Sequence, residues 1–508
     1  MFCKMKKIYL LFALVSLLLT TACGNMNDDL ERMIPADATG VVSINMPEIL
    51  EKTQLMNDGR IVLPASLQAV IDQNDAAPLC QFFTDLPVMG IDTKSKAYAF
   101  FTLKTFGRVL LLPLDDEAAA RRIVAQRAGS DFANVEGIDC IYVEDNFYAV
   151  SRKILFVGVV NKSMEREKIA RTAAAMLKGN SRNITEVAEV KQCIDANDEV
   201  NAYFQLEGIK ALLKRSKTYK DVVQRMPLIE VFTESDIKAM TCAVKMLPDS
   251  VTFNTHFIAD ENSDYLKLMN ITIAKPDAEF LKIIPESMDY ILSMSVKGEQ
   301  FVQLEQIKQL LKAFAKLPYI GRIDLAQMLA TIDGPVAVGL ANDPHLEGDW
   351  NAVVAARSAN PYNIVNTIGK FAIALGQAPE LYGEEYVYQY DNKMIRVGAT
   401  DNIFYLKMLN YEQTEGNAGE NKALNALFAT SPFAVALRSH GGSLRYGLTD
   451  MIDGKGAFTS AGDVPAPLAL LQVLCGVKAP QAFDDMLDDD DETPTGLGDA
   501  IDGFHELN

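Results

Sequence analysis

The sequence predicts an α+β fold made of two tandem related halves, each a mainly antiparallel sheet with helices packed on it. The first observation is a gapless internal repeat: residues 34–45, IPADATGVVSIN, return as residues 284–295, IPESMDYILSMS. The second is the order of elements, in which strands follow one another in runs with helices between the runs, as in antiparallel α+β proteins. The third is that two further markers of the repeat return at nearly the same spacing.

Each copy of the repeated segment predicts a turn that leads into a strand. Proline fixes φ and donates no ladder hydrogen bond, and both Pro35 and Pro285 precede a polar spacer and a run of aliphatic residues. Ser43 and Ser293 recur inside these aliphatic runs. We therefore expect both serines to be structural, although recurrence alone could suggest a catalytic role.

The two further markers are a glycine that ends a helix and a hairpin turn. Gly376 follows Gly129 by 247 residues, and the Asp-Asn dipeptide at 391–392 follows the one at 145–146 by 246 residues. Glycine is the usual residue where a helix ends, and Asp-Asn favours a tight turn. Three independent markers at similar spacing predict a duplication rather than a chance match.

In the first half, Asp115 or Asp116 is predicted to cap a helix that runs through Ala128 and stops at Gly129. A second helix, over 163–177, is predicted to end at Gly179. Further helices are predicted with Pro47 in the first turn and over 64–73. Strands are predicted at 96–103, 108–114, 138–144, 147–151, 154–160, 199–206, 240–247, 251–259 and 265–273, with Gly107 joining the first pair.

The second half repeats this order more briefly. A helical region is predicted over 299–331, a helix from Pro361 to Gly376, and another helix over 421–429. Strands are predicted at 284–296, 336–341, 352–357, 433–438 and 443–448. The predicted boundaries are a signal peptide at 1–22, a lipidated tether at 23–32, a first half at 33–280, a second half at 281–483 and an acidic disordered tail at 484–508.

The N-terminus has the order of residues found in a secretory signal. Three lysines precede an apolar run over 8–19, and small residues then lead to Cys23. The run is short for a membrane span, which favours a cleaved signal over a transmembrane helix. The small residues followed by cysteine resemble the bacterial lipobox, whose cysteine is lipidated, although Thr20 stands where leucine is usual. The alternative is a soluble secreted protein with an incidental cysteine.

Charge limits the partners of the protein. The formal net charge is −19, and it becomes −22 when the three signal lysines are removed. This argues against nucleic acid or anionic lipid as a partner. Ten acidic residues and no Lys or Arg lie in 484–508, a composition typical of a solvated, disordered segment rather than a calcium loop.

Motifs for catalysis, cofactors or metals are absent from the sequence. It contains no GxSxG, HExxH, GxxxxGK[ST] or GxGxxG, and its four histidines are not at ligand spacing. Of the seven cysteines, five remain after the signal and Cys23 are set aside, and none is in a CxxC pair. Small buried hydrophobic residues are their predicted role, with one long-range disulfide left open. We predict no catalytic, cofactor-binding or metal-binding residue.

Three tyrosines alternate along one predicted strand. Period two places Tyr386, Tyr388 and Tyr390 on one face, where they either pack on a helix or form an aromatic platform for a sugar or protein. Aligning residues 387 and 389 with 141 and 143 makes the opposite face the more apolar one and favours the platform. Trp350, the only tryptophan, is predicted to be a packing anchor.

Ser250 lies in an Asp-Ser-Val triplet that resembles the acceptor of bacterial O-glycosylation. The alternative for this triplet is a turn that enters a strand.

The lipobox, the acidic leader after Cys23 and the IPxD opening at residues 34–37 together resemble an uncharacterised family of Bacteroides-type lipoproteins of unknown function. The resemblance implies an outer-membrane lipoprotein, on the periplasmic side or the cell surface, and transfers no catalytic residue. We therefore predict a non-catalytic envelope lipoprotein that is held on the membrane by lipid on Cys23 and binds a protein or glycan partner, with the junction of the halves as a groove. The alternative is a hydrolase acting on an envelope or dietary polymer.

Overall fold

The computed structural model describes residues 26–65, 68, 84–102, 106–143, 146–160, 165–179, 182–215, 233–315, 324–342, 350–374, 379–390, 393–410, 417–439, 441–462 and 464–476. Cys23, the predicted signal and the predicted acidic tail lie outside these residues. So do the Asp-Asn turn at 391–392 and the helix-ending Gly376.

Twenty-two strands are present in the described residues. They are β1 (Gly40–Ile44), β2 (Met56–Asn57), β3 (Arg60–Ile61), β4 (Ala97–Phe101), β5 (Phe106–Pro113), β6 (Ala133–Val135), β7 (Ile138–Val143), β8 (Asn146–Ser151), β9 (Ile154–Val160), β10 (Val200–Gln205), β11 (Ala239–Met246), β12 (Ser250–Ile258), β13 (Tyr290–Lys297), β14 (Ile332–Asn342), β15 (Trp350–Ser358), β16 (Glu380–Tyr382), β17 (Glu385–Tyr390), β18 (Lys393–Thr400), β19 (Ile403–Asn410), β20 (Phe433–Ser439), β21 (Gly442–Leu448) and β22 (Asp453–Ser460).

Thirteen α-helices accompany them in the same residues. They are α1 (Met26–Glu31), α2 (Met46–Lys52), α3 (Glu117–Ala128), α4 (Arg166–Lys178), α5 (Ala188–Ile194), α6 (Leu206–Arg215), α7 (Asp264–Thr272), α8 (Gly298–Phe301), α9 (Glu305–Phe314), α10 (Leu325–Ala330), α11 (Pro361–Ala374), α12 (Lys422–Thr430) and α13 (Ala466–Gly476). Short 3₁₀ turns lie at Ile184–Glu186, Glu279–Lys282 and Ala418–Glu420. The predicted α+β class with mainly antiparallel sheet is confirmed.

All strands except β2 and β3 join one 20-stranded antiparallel sheet. By its pairings, the sheet runs from β6 through β7, β8, β9, β5, β4, β1, β10 and β11 to β12. Strand β12 then pairs with β22, from which the order β21, β20, β13, β14, β15, β19, β18, β17, β16 leads to the far edge. Read from its two outer edges, the sheet therefore has the same strand order in both halves. Strands β6–β12 correspond to β16–β22, and β1, β4 and β5 correspond to β13, β14 and β15.

The two Ile-Pro segments are anchored in the same manner. Pro35 forms a bridge with Asn183, and Pro285 forms one with Asn417. The backbone N–H of Ile184 donates to the carbonyl of Ile34 at 3.0 Å, and the N–H of Ala418 donates to that of Ile284 at 2.8 Å. Each segment is thus tied to the loop before the strand that later pairs with β1 or β13.

The sheet carries helices on both sides in its first ten strands. One side packs against α2, α3 and α13 around Ile49, Val124 and Leu471. The other packs against α4 and α5 around Ala173 and Ile194. In the strands of the second half, one core forms with the 3₁₀ turns and α12, and another forms under α11.

Helix α3 confirms the prediction made from its ends. The Asp116 side chain accepts hydrogen bonds from the N–H groups of Ala118 and Ala119, and Gly129 follows the last turn with φ of 62°. The meander of β7, β8 and β9 is confirmed as well. Gly107, predicted to join two strands, instead lies inside β5.

The strand predicted over 265–273 is wrong, because this segment forms α7. The Ser263 hydroxyl accepts a hydrogen bond from the N–H of Leu266 at 3.0 Å and caps the first turn. The carboxylate of Asp236 accepts from the N–H groups of Asp264 and Tyr265 at 2.7 and 3.1 Å. A short apolar run fits a strand or a helix equally well by periodicity. The long-range cap from Asp236 stabilises the helix.

Residues on both sides of two predicted boundaries belong to the cores. Leu30 is buried in the first-half core, and the buried Glu31 accepts a hydrogen bond from Tyr98 at 2.7 Å. Phe280 likewise belongs to the second-half core. Helix α13 lies within the predicted second half of 281–483, yet it packs into the first-half core. The fold therefore begins by Leu30, inside the predicted tether of 23–32.

Candidate functional site

Strand β13 exposes two large side chains on one side of the sheet. Tyr290 and Leu292 are 40% and 43% exposed, whereas Ile291 and Ser293 on the other side are 4% and 3% exposed. Antiparallel strands with one covered face normally place polar side chains on the open side. The two large apolar side chains therefore mark the open side of β13 as a surface of unusual composition.

The buried side of the same strands is lined by small residues. Ser293 pairs with Ala337 on β14 and with Ala434 on β20, and both alanines are fully buried. Small side chains let the 3₁₀ turn at Glu279–Lys282 and the helix α12 pack close to the sheet through Phe280 and Phe428. The larger side chains of these strands therefore stand on the other side.

The exposed side of β13 continues onto its neighbours. Tyr290 pairs with Leu340 and Leu437, and Leu292 lies between the facing strands β14 and β20. The ring of Trp350 on β15 lies 6.2 Å from that of Tyr290. We call this surface the open apolar face and define it by the exposed or half-buried residues Tyr290, Leu292, Val338, Leu340, Trp350, Val435 and Leu437.

The same side of the sheet is covered in the first half. Val42 holds the place in β1 that Leu292 holds in β13, 250 residues later, and Val42 is 4% exposed. It belongs to the core that includes Met46 and Ile49 of α2. Leu292, at the equivalent place in the second half, is 43% exposed, so among the described residues the open apolar face is a feature of the second half.

The open apolar face is suited to binding rather than to catalysis. Its side chains are aliphatic or aromatic, and its polar groups are a phenol and an indole N–H. Monomeric soluble proteins rarely leave contiguous apolar patches open, and such patches mark interaction sites. Tyrosine and tryptophan also supply much of the binding energy at protein interfaces.

Tyr386 and Tyr388 do not form the predicted platform. Tyr388 is 8% exposed and packs in the core under α11, and its hydroxyl has no hydrogen-bond partner among the described residues. A Cβ added to Gly369 of α11 would lie 2.6 Å from the ring of Tyr386, so the helix rests on that ring. The two tyrosines pack on a helix, which was the alternative interpretation. The Tyr390 side chain lies outside the described residues.

The error came from a repeat alignment of the wrong parity. It matched Val387 with Ile141, which lies on the side of the sheet that contacts α3. The equivalent side in the second half contacts α11, because α3 follows β5 and α11 follows β15. Tyr388, and not Val387, lies on that side. Neighbouring residues in a strand point to opposite faces, so an alignment shifted by one residue exchanges the two faces.

Trp350 and Ser250 were the other residues that the sequence indicated. Trp350 was predicted to anchor packing, yet it is 40% exposed and belongs to the open apolar face. Ser250 is the first residue of β12, half-buried, and its hydroxyl donates to Asp249 at 3.2 Å. This position fits a turn entering a strand, and its glycosylation stays a prediction.

Two of the four ionisable groups that line one cavity form an ion pair with each other. A cavity of about 270 Å³ is lined in part by Asp277, Asp333 and Arg357. The Arg357 guanidinium donates to Asp277 at 2.5 Å, and this hydrogen bond raises the pKa of Arg357. In the described parts of the chain, no group of three or more His, Cys, Asp or Glu side chains could hold a metal ion.

Cys140, Cys193 and Cys242 are free thiols. Cys140 is buried, as predicted for a small hydrophobic residue. Burial raises the pKa of the Cys193 thiol to about 11. A thiol with so high a pKa is a poor nucleophile at neutral pH.

Comparison with known proteins gives no family. No family model and no curated protein matches the chain. Among solved structures, crystal form III of TP0453 is 11% identical with a TM-score of 0.29, covering 49% of this chain and 88% of that one. Crystal form IV of TP0453 is 13% identical at the same TM-score, with 46% and 83% covered.

A DnaN sliding clamp from Pseudomonas aeruginosa bound to griselimycin is 9% identical with a TM-score of 0.10, covering 83% of this chain and 99% of the clamp. These TM-scores are too low to support any conclusion about fold or function. In the described residues, no helix is both long and apolar enough to cross a membrane.

Proposed function

We propose that this protein is a non-catalytic, membrane-anchored envelope lipoprotein that binds a partner through the open apolar face. The observation that carries the proposal is the exposure of Tyr290, Leu292 and Trp350 on interior strands of the sheet. Keeping apolar side chains in water costs about 25 cal/mol per Å² relative to burial, so a complex in which a partner covers them is stabilised.

The composition of the face favours a protein partner over a glycan. Valine and leucine at 338, 340, 435 and 437 surround the two aromatic residues. Sugars stack on rings but also need hydrogen-bonding groups beside them, whereas aliphatic surface is complementary to the apolar side chains of a protein. A glycan stacked on Tyr290 and Trp350 is the alternative partner.

The anchor in this proposal is lipid on Cys23, in the outer membrane, on its periplasmic side or at the cell surface. Leu30 is buried in the first-half core. Seven residues span at most about 25 Å, so a lipid on Cys23 would hold the first half close to the membrane. Acyl chains contribute about 0.8 kcal/mol per buried methylene.

We also propose that the chain is a tandem duplication. The shared order of strand pairings on the two sides of the β12–β22 contact supports this, as do the equivalent bridges of Pro35 and Pro285. A duplication would explain why one copy of the sheet can be closed by helices while the other copy is free to bind.

The alternative, a hydrolase acting on an envelope or dietary polymer, has no comparable support. Asp277 and Arg357 form an ion pair, and the Tyr405 hydroxyl donates a hydrogen bond to the Glu385 carboxylate. Neither arrangement in the described residues provides a nucleophile and a base together.

Co-purification tests the proposed binding face. The variant Tyr290→Ser with Leu292→Ser should lose the partner that the wild-type lipoprotein retains after mild detergent extraction from cells. Leu381→Ser is the matched control, because Leu381 is 65% exposed but lies on the edge strand β16, outside the face. If the double variant retained the partner, the open apolar face would not be its binding site.

A further inference from the structure

The other side of the second-half sheet carries two cations in direct opposition. Arg396 on β18 and Lys407 on β19 are cross-strand partners. Strand β17 contributes Val387, which pairs with Arg396 from the other side. Like charges placed directly opposite each other destabilise a sheet. We call the surface of Glu385, Val387, Arg396, Tyr405 and Lys407 the cationic face; it lies on the side of the sheet opposite to Leu292.

The matching place in the first half is aromatic and covered by a helix. There, Phe147 pairs with Gly158 and with Tyr142, as Arg396 pairs with Lys407 and with Val387. Helix α4 packs on this side through Ala170, Ala173 and Ala174, whose small side chains allow close approach. The Tyr142 hydroxyl donates to the backbone carbonyl of Arg166, at the first turn of that helix.

The second half does not have enough chain to repeat this cover. In the first half, residues 161–183 connect β9 to the 3₁₀ turn at Ile184–Glu186 and contain the 13 residues of α4. In the second half, residues 411–417 connect β19 to the 3₁₀ turn at Ala418–Glu420. A helix rises about 1.5 Å per residue, so seven residues cannot form a helix that crosses the same strands.

The charges of the cationic face are incompletely paired. Glu385 accepts a hydrogen bond from Tyr405 and lies 3.8 Å from Arg396. The half-buried Lys407 has its ammonium 5.2 Å from the centre of the Tyr405 ring, and it makes no ion pair within the described residues. Burial lowers the pKa of Lys407, while the charge of Glu385 acts in the opposite direction. A further carboxylate between Arg396 and Lys407 would relieve their repulsion.

We propose that the cationic face binds an α-helix of a partner protein, one that has small side chains toward the sheet and an Asp or Glu between Arg396 and Lys407. The helix takes the place that α4 occupies in the first half. Its carboxylate replaces the aromatic contact that Tyr142 and Phe147 make there. This site is independent of the open apolar face, since the two lie on opposite sides of the sheet.

A synthetic helix provides the probe. The acidic peptide has the sequence of residues 165–179 with Arg166→Glu, because the Arg166 guanidinium lies 5.0 Å from the centre of the Tyr142 ring in the first half. The control peptide carries Arg171→Glu instead, which gives the same net charge with the new carboxylate on the exposed side of the helix. Fluorescence anisotropy with the full mature chain should show binding of the acidic peptide. The control peptide should bind with an affinity at least about tenfold lower. The variant Arg396→Glu with Lys407→Glu should reverse this preference. The protein variant Arg171→Glu with Lys267→Glu changes two exposed cations outside the face and should leave the preference for the acidic peptide unchanged.

Carbodiimide coupling identifies the occupant, since it joins an amine to a carboxylate in contact. Lys407 should couple to a glutamate of the acidic peptide. The proposal is overturned if neither peptide binds, or if the reversed variant binds the acidic peptide as tightly as the wild type does. Coupling of Lys407 to an acidic residue of 484–508 in the same chain would also overturn it, because the tail would then be the occupant.

Discussion

The rings of Tyr290 and Trp350 lie 6.2 Å apart with 48° between their planes, on a side of the sheet where each is 40% exposed. They belong to β13 and β15, so the pair spans the intervening strand β14. Strands fix the positions of both backbones, and the rings are therefore held in place before any partner arrives. Such preorganisation lowers the entropy that binding must offset.

Substitution by serine should affect the free energy of unfolding very differently at Val42 and at Leu292, which hold equivalent places in the repeat. Val42→Ser removes a buried methyl group and buries a hydroxyl, so we expect a loss of about 2–3 kcal/mol in the free energy of unfolding. Leu292→Ser acts on an exposed side chain and should change it by about 0.5 kcal/mol or less. Urea unfolding monitored by circular dichroism measures both. Equal losses would mean that this side of the sheet is covered alike in both halves.

Tyr388 offers a test of its burial under α11. Within the part of the chain that the structure describes, its hydroxyl has no hydrogen-bond partner, and burial raises the pKa of this hydroxyl. Tyr388→Phe removes the unsatisfied group, so stability should be unchanged or rise by up to about 1 kcal/mol. Tyr388→Ala leaves a cavity and should cost about 3–5 kcal/mol. Thermal unfolding of the two variants distinguishes them, and a stable alanine variant would contradict the packing described for this ring.

The cap of α7 should make the protein sensitive to acid. Desolvation alone would raise the pKa of Asp236, but hydrogen bonds from the N–H groups of Tyr265 and Asp264 and from the Ser263 hydroxyl lower it overall. A carboxyl whose pKa is lowered by folding contributes stability above the unfolded value of 3.8, and that stability is lost as pH falls through the folded pKa. Asp236→Asn should remove this component.

Urea midpoints at pH 7 and pH 3 provide the measurement for Asp236. The substitution should lower stability by about 0.3–1 kcal/mol at pH 7, the usual size of a favourable charge at a helix N-terminus, and by less at pH 3. An equal effect at both values would show that the charged form of Asp236 contributes nothing.

Lipidation of Cys23 is directly measurable. Cells given an alkyne-labelled fatty acid should incorporate it into the wild-type protein and not into Cys23→Ala. The variant should also leave the membrane fraction, since no other acyl anchor is proposed. Label in the alanine variant, or membrane retention without label, would contradict the proposed anchor.

Local patterns in the sequence predicted the class and most elements of this fold. The Asp116 cap and Gly129 define α3 because both act within one turn of the helix. Helix α7 was missed because its cap from Asp236 comes from 28 residues away. Strand β22 and helix α13 were missed too, although β22 pairs with β12 and joins the two parts of the sheet.

The open apolar face could not be predicted, because alternation along a strand shows two faces but not which one is covered. In β13, Ile291 is buried and Leu292 is exposed, although both are aliphatic. The cover on the first half includes Leu471 of α13, more than 400 residues from Val42 in sequence. Coverage is therefore a non-local property. The tyrosines of β17 were misinterpreted for a different reason, a repeat alignment shifted by one residue.

Photo-crosslinking in intact cells tests the open apolar face most directly. A benzophenone amino acid in place of Leu292 should yield one discrete adduct with a partner protein on irradiation. In place of Ile271, which is 56% exposed on α7 outside the face, it should yield none. The absence of an adduct at position 292, or the same adduct at both positions, would contradict the proposal that this face is the binding surface.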